Sequence, residues 1–325
     1  MPDPVVVEEL TKTYPGGVHA VRGISFSVRP GEVFGLLGPN GAGKTTTIGV
    51  LTTLVRPSGG RALVGGHDVV ADPLAARGSI GVVFQESVLD NEFSGLANLR
   101  LHARLWRVPD PDARIASLLD AVGLTERASH SVRTYSGGMR RRLEIARALM
   151  ARPSVLFLDE PTLGLDPIVR QELWQTIGAL RERERVTVLL STHYLEEAES
   201  VCDRVAIIDR GEIIAHDPPA ALVDRVGRQM LDLTVDGDPA GVLAALAQVG
   251  ISDSAPRRSG STVSVASSEA PETLTERVNA LALSRLGVTT MTMRPTTLND
   301  VFLILTARRE TDHEAAAAVA VGAGS

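Results

Sequence analysis

One stretch constrains the fold of this chain more than any other: Gly38-Pro39-Asn40-Gly41-Ala42-Gly43-Lys44-Thr45. It fits the pattern G-x-x-x-x-G-K-S/T, and its surroundings supply the context that the pattern needs. Glu32–Leu37, almost all apolar, predicts a buried strand before it; Thr46–Leu54 predicts a short helix after it. Glycines let the backbone curl so that successive N–H groups face one point, and the helix N-terminus adds partial positive charge there. Such a loop holds phosphate. Lys44 is placed to reach β- and γ-phosphates, and the Thr45 hydroxyl to hold Mg²⁺. The stretch therefore predicts a nucleoside triphosphate as ligand.

At 325 residues the chain has room for about two domains. A net charge of −6 and only 3% aromatic residues argue against a basic nucleic-acid surface and a base-stacking sheet, so no nucleic-acid partner is expected. The single Cys202 leaves no internal disulfide and fits a small core residue in a reducing compartment. The N-terminus lacks a basic segment followed by an apolar run, and no run approaches the ~18 apolar residues of a bilayer span. The expectation is a cytoplasmic chain that meets a membrane only through a partner.

Residues 5 to 29 alternate apolar and polar residues in short bursts and predict an antiparallel β arm, turning at Pro15-Gly16-Gly17 and Pro30-Gly31. Tyr14, on the first turn, is either a ring for a purine to stack on or an edge-strand aromatic. Gly60–Asp68 again reads as strand and turn. Ile80–Phe84 is a short buried strand with Gln85 at its end, where open α/β sheets make ligand contacts; alone, a surface amide reads equally well. From 86 to 150, apolar residues recur at helical spacing, interrupted at Pro109 and Pro111, which predicts a helical insert. It ends in Tyr135-Ser136-Gly137-Gly138-Met139 and a helix for which Ser136 is the N-cap, a second anion-binding helix terminus. Arg140, Arg141 and Arg142 are expected on a solvated face rather than in a nucleic-acid patch.

Val155–Leu158 reads as a buried strand running into Asp159-Glu160. Neighbours on a strand point to opposite sides, so the two carboxylates have separate jobs. One can hold Mg²⁺ through water while the other polarises a water at the γ-phosphate. Gly164-Leu165-Asp166, a helix from about Pro167 to Arg183 and a strand over Val186–Leu190 follow. That strand delivers Ser191-Thr192-His193, and an imidazole there is within reach of the same phosphate. A helix over Tyr194–Cys202 and a hairpin over Arg204–Ile214, turning at Arg210-Gly211, close the domain near residue 225.

In this order and spacing, residues 5 to 225 resemble the nucleotide-binding subunits of ATP-binding-cassette transporters. Gly38–Thr45 resembles Walker A, Gln85 the Q-loop, Tyr135–Met139 the signature loop and Val155–Asp159 Walker B. Glu160 resembles the catalytic glutamate, Gly164–Asp166 the D-loop and His193 the switch histidine, while Tyr14 falls where the family keeps its adenine-stacking aromatic. The resemblance implies ATP as the nucleotide, bound through Tyr14, Gly38 to Thr46, Ser136, Gly137, Gly138 and Asp166. It implies Mg²⁺ at Thr45, Gln85 and Asp159, with Glu160, His193 and Gln85 in the catalytic step. It also implies a head-to-tail homodimer with two ATP molecules between protomers, Walker A of one facing Ser136-Gly137-Gly138 of the other, and a separate integral-membrane permease. The signature departs from the family's commonest Leu-Ser-Gly-Gly-Gln at Tyr135 and Met139; Ser-Gly-Gly is intact.

Residues 226 to 310 predict a strand over Met230–Val235, a helix over Val242–Val249, a strand over Thr262–Ala266, a helix over Glu272–Leu286, a strand over Val288–Met293 and a last helix over Leu298–Ala307. Arg257–Ser261 reads as an exposed turn. The order suggests a small α+β domain of ferredoxin-like type. Residues 311 to 325, mostly Ala with Gly, read as a frayed tail. The expected architecture is thus an α/β P-loop cassette (1–225) with an antiparallel β arm and a helical insert, followed by an accessory α+β domain (226–310). Pro295–Leu303, Tyr135–Met139 and Ser191–Glu199 resemble the drug-exporter branch, which pairs with an ABC-2-type permease and includes the daunorubicin/doxorubicin-resistance ATPases. That branch implies drug or antibiotic efflux at the inner face of the membrane. Lipid or polysaccharide export, import, and a soluble non-transport switch stay open beside it.

Overall fold

The computed structural model describes residues 2–237, 239–248, 251, 256–280, 286–307 and 309. The chain divides into two compact units, Met1–Ile214 and Ala215–Ser325, so the division falls about ten residues before the expected boundary near 225. The difference is a helix, Pro219–Val226, that belongs with the second unit.

The first unit opens with the expected arm. Strands β1 (Val5–Tyr14) and β2 (Val18–Val28) pair antiparallel, Val5 opposite Val28 and Tyr14 opposite Val18, and bury Val5, Val7 and Leu10. β3 (Val33–Leu37) leads into the glycine-rich loop and α1 (Lys44–Leu51), which begins two residues before the Thr46 expected. β4 (Gly59–Val64), β5 (His67–Asp68), α2 (Pro73–Gly78) and β6 (Ile80–Val83) follow. The helical insert is α3 (Gly95–Leu105), α4 (Pro111–Ala121) and α5 (Gly137–Ala148). Ser94 caps α3 and Ser136 caps α5, each side chain accepting from the backbone N–H three residues on. β7 (Val155–Asp159), α6 (Pro167–Glu184), β8 (Thr187–Thr192), α7 (Leu195–Val201), β9 (Arg204–Asp209) and β10 (Glu212–Asp217) complete the cassette.

Two sheets result. The arm forms β2-β1-β4-β5, and the central sheet runs β10-β9-β3-β8-β7-β6. β3, β8, β7 and β6 are parallel, and β3, β7 and β8 are buried at every position, as the continuous apolar runs of a sheet covered on both faces require. Phe34 stacks on Phe26 at 5.2 Å between ring centroids, and both join Ile48, Leu51, Phe157 and Leu189 in one core. Each such side chain, once buried, stabilises the fold by about 2 kcal/mol. Cys202 is buried, and burial pushes its thiol well above the usual range; it packs as a core residue, as expected. No described helix is long and apolar enough to cross a membrane.

The second unit, from Ala215 in β10 onward, has α8 (Pro219–Val226) as its first helix and continues through β11 (Gln229–Val235), α9 (Ala240–Gln248), β12 (Arg257–Ser259), β13 (Thr262–Ser267), α10 (Pro271–Ala280) and β14 (Val288–Pro295). The segment expected as a turn at Arg257–Ser261 is instead an edge strand that pairs antiparallel with β13 and turns at Gly260. That strand turns β-α-β-α-β into βαββαβ, with the antiparallel order β12-β13-β11-β14 of a ferredoxin-like sheet. Val249, residues 281–285 of the expected helix and the tail from 311 lie outside the described residues.

Residues 298–307 are helical, and their start is fastened to the sheet. Asp300, buried, accepts from the Thr297 backbone N–H at 2.9 Å and its hydroxyl at 2.8 Å, and takes both guanidinium ends of Arg294 at 2.7 and 2.8 Å. Arg294 also reaches Asp232 on β11 at 3.0 Å. Burial alone would raise the Asp300 carboxyl, but the bonds from Arg294 and Thr297 outweigh it and hold it below the ordinary carboxylate range. Asp300→Ala should destabilise this unit by on the order of 2 kcal/mol. Hydrogen exchange should quicken in β11 and β14 and stay unchanged in β3; undisturbed protection in β14 would show the latch to be idle. Because the folded-state pKa is depressed, the stabilisation is present above the unfolded value of about 4 and is lost as pH falls below it. Acidification through that range should reproduce the same exchange pattern in the unsubstituted chain.

Candidate functional site

Four neighbouring parallel strands end level with one another. In the order β3, β8, β7, β6 they deliver the glycine-rich loop, His193, Asp159-Glu160 and Gln85, the carboxyl-end placement that open α/β sheets use for ligands. Register sets the alignment: Leu37 lies opposite Thr192, and Asp159 opposite Ser191. A cleft of about 510 Å³ opens there, lined by Asn40, Gly41, Gly43, Lys44, Thr45, Thr46, Gln85, Glu160 and His193, with Tyr14 at its rim. Val18, Ala20 and Leu163 complete the lining, and the sequence reading missed them. Val18, 61% exposed, lies opposite Tyr14 in the β1–β2 register, a placement that only the strand pairing reveals.

The loop is shaped by close approach. A Cβ on Gly38 would stand 2.1 Å from the Ile208 carbonyl oxygen, and one on Gly43 2.5 Å from that of Ala20. Gly43 precedes α1 with φ +111° and no side chain caps the helix, so its first N–H groups face the cleft's anion-binding end. Lys44, 4% exposed, folds back to donate to the carbonyls of Gly38 at 2.8 Å and Pro39 at 3.1 Å. Burial lowers its pKa, while Glu160 and Asp159 act in the opposite sense. Ala42 is buried beneath the loop. Tyr14 reaches Thr46, hydroxyl to hydroxyl, at 3.4 Å.

The two carboxylates do diverge, by a sharper device than strand alternation. Asp159, the last residue of β7, accepts from the Ser191 hydroxyl at 2.5 Å and the Thr45 hydroxyl at 3.4 Å, and its burial raises its pKa. Glu160 turns into the left-handed region, φ +47°, its N–H held by the Ser191 carbonyl and hydroxyl at 3.2 and 3.1 Å. Such a conformation costs a non-glycine residue about 1–3 kcal/mol and persists where its surroundings enforce it. It sends the carboxylate to 3.7 Å from the Lys44 ammonium and 3.3 Å from His193 Nδ1, which lies beside it without hydrogen-bond alignment.

The remaining expected residues lie elsewhere. Ser136, Gly137 and Gly138 are not part of this cleft: Ser136 Oγ accepts from Met139 N at 3.2 Å, and a Cβ on Gly138 would meet Val169 of α6 at 2.4 Å. Asp166 caps α6, accepting from Ile168 and Val169 N–H groups at 3.1 and 3.0 Å. Tyr135 is buried and donates its hydroxyl to the Arg127 carbonyl at 2.7 Å, which explains an aromatic at that end of the signature. Arg141 corrects an expectation: it is buried rather than solvated, and bonds to the carbonyls of Phe84, Glu160 and Pro161. A cluster of three charged residues gave no sequence cue to which one turns inward.

A P-loop nucleoside triphosphatase is the class this fold and cleft define. Residues 21–163 match the family model described as ABC transporter. The doxorubicin resistance ATP-binding protein DrrA of Mycobacterium tuberculosis is 47% identical over 226 residues, 69% of this chain and 68% of its own length. The daunorubicin resistance ATP-binding protein DrrA2 of Streptomyces coeruleorubidus is 39% identical over 315 residues, 96% of this chain and 97% of its own. A dimeric post-hydrolysis state of the ATP-binding cassette MJ0796, bound to ADP and Pi, aligns with a TM-score of 0.59 at 27% identity, over 66% of this chain and 98% of that one. The chain belongs to the ABC transporter family, as an ATP-binding subunit that hydrolyses ATP.

The loop geometry separates its glycines. Gly43→Ala should abolish the rise in melting temperature that ATP produces, because the new methyl group meets backbone that cannot yield. Gly41, φ +82° but with open space around it, should tolerate Ala at about 1 kcal/mol and keep most of that rise. Equal behaviour of the two variants would contradict the packing described.

Proposed function

We propose that the chain is the ATPase subunit of an exporter of a drug or antibiotic, acting as a head-to-tail homodimer at the cytoplasmic face of the membrane on a separate permease. The observation that carries this is a half-site. Lys44, Glu160 and His193 share one cleft, whereas Ser136-Gly137-Gly138 begins a helix outside it. A second copy turned head to tail would bring that helix terminus, with Asp166 near it, against the phosphates. Closure then depends on the γ-phosphate, and its loss reopens the pair.

Within one protomer, adenine would lie against Tyr14 and the phosphates along Gly38 to Thr46, with Lys44 released from its own loop carbonyls. Thr45, Asp159 and Gln85 offer oxygen donors with a single carboxylate, a set suited to a hard cation that keeps waters and takes phosphate oxygens. No cluster of three or more acidic, His or Cys residues among those described offers an all-protein cage. Mg²⁺ held there would neutralise charge on the phosphates. Glu160 would accept a proton from the attacking water at Oε1, and His193, beside that atom, would hold the γ-phosphate side of the cleft.

Export is favoured by the two resistance ATP-binding proteins, one of which spans nearly the whole chain. Permease docking is favoured by a second, apolar cleft of about 390 Å³ next to the Gln85 segment. Phe84 lines it, and so do Leu54, Leu105 and Trp106, exposed at 65, 72 and 41%. A short amphipathic helix of a permease fits such a groove.

Glu160→Gln should bind ATP, lose turnover by about 10²–10⁴-fold and elute as a dimer when ATP and Mg²⁺ are present. Undiminished turnover would remove Glu160 as general base; a monomer under those conditions would remove the sandwich. Substrate-stimulated ATPase in the chain purified with its permease tests export.

A further inference from the structure

We infer that Arg141 is a positioning residue for ATP hydrolysis: it fixes the backbone at which Glu160 and Gln85 enter the nucleotide cleft. The inference rests on Glu160 being the group that polarises water. Arg141 lies on the second turn of α5, five residues after Ser136, and is 7% exposed. Its guanidinium spans two strand ends. Nη1 donates to the Phe84 carbonyl at 2.6 Å, Nε to that of Pro161 at 2.7 Å and Nη2 to that of Glu160 at 3.2 Å. Glu144, one turn along the same helix, steadies Nη1 at 2.8 Å.

Those carbonyls flank the two residues that matter. Phe84 precedes Gln85 at the end of β6, and Glu160 and Pro161 leave the end of β7. Carbonyls past the end of a ladder need donors once buried, and one planar fork supplies them all in fixed geometry. The consequence is sharpest at Glu160. Its left-handed backbone is tied at the N–H by Ser191 and at the carbonyl by Arg141. Release of one tie lets the residue relax toward extended geometry, which swings the carboxylate away from Lys44 and His193. Arg141 does not line the cleft, so its effect on the reaction is through placement. Because the same helix starts at Ser136-Gly137-Gly138, the guanidinium also joins the phosphate-facing end of α5 to the acid of its own protomer.

Misplacement of a reacting group by about 1 Å costs ~10²-fold in rate. The test uses the full chain carrying Arg141→Lys, which keeps the charge and loses the fork. We expect kcat to fall about 10- to 100-fold, with KM for ATP, affinity for a fluorescent ATP analogue and melting temperature close to the unsubstituted values. In a Glu160→Gln background the same change should cost markedly less, since one of the two groups it positions, the carboxylate, is gone and only Gln85 remains. Turnover within about twofold of the parent would overturn the inference. So would a kcat loss matched by an equal loss of analogue affinity, or an undiminished effect in the Glu160→Gln background. Should the lysine variant fail to fold, Arg141→Gln is read by the same criteria. A stalled Glu160→Gln beside an unimpaired Arg141→Lys sinks this inference alone, whereas an active Glu160→Gln sinks the general-base reading and this inference with it.

Discussion

Two adjacent carboxylates, Asp159 and Glu160, sit nearly buried at the end of one strand, and the chemistry of the cleft depends on how their charge is tolerated. Side by side in a low dielectric they repel, and burial first and Glu160 with it raise the Asp159 pKa. The fold turns them toward different partners. Asp159 stays in the strand and takes the Ser191 hydroxyl that the β7–β8 register sets opposite it. Glu160 leaves the strand through a left-handed backbone and faces Lys44 and His193. Register, turn and lysine are three parts of one electrostatic solution.

Much of the first unit was legible because its signals are strong and local. A glycine-rich loop between an apolar strand and a helix admits few other readings, and the buried strands of a parallel sheet announce themselves as unbroken apolar runs. The resemblance of the motifs then placed residues as distant as Tyr14 and His193 around one cleft, and the fold brings them there. What stayed hidden depends on tertiary contact. Nothing in Arg140-Arg141-Arg142 tells which guanidinium turns inward, because that follows from where the ends of β6 and β7 lie beneath α5. The left-handed turn at Glu160 is equally silent in sequence, since it is imposed by partners thirty residues away.

The second unit shows the complementary weakness. Its central strands alternate and were readable, but β12 is three residues long, polar and at an edge, so Arg257–Ser259 looks like a turn until its pairing with β13 is seen. Short charged edges are how sheets avoid pairing with strangers, and the feature that guards the edge also conceals it. Thr297 and Asp300, within the segment that resembles the drug-exporter branch, have a plain physical role. They cap the last helix and bind it, through Arg294, to the strand in the middle of the sheet.

The folded-back posture of Lys44 has a further consequence. Burial lowers the pKa of its ammonium, and Glu160 first and Asp159 second oppose that shift. The glutamate is therefore a counter-charge for the lysine as well as the proposed base for water. Neutralising the carboxylate removes the larger of the two charges that oppose the lowering of the lysine's pKa. The loop lysine and the strand-end acid thus form one charged unit, and a change at either is felt at the other.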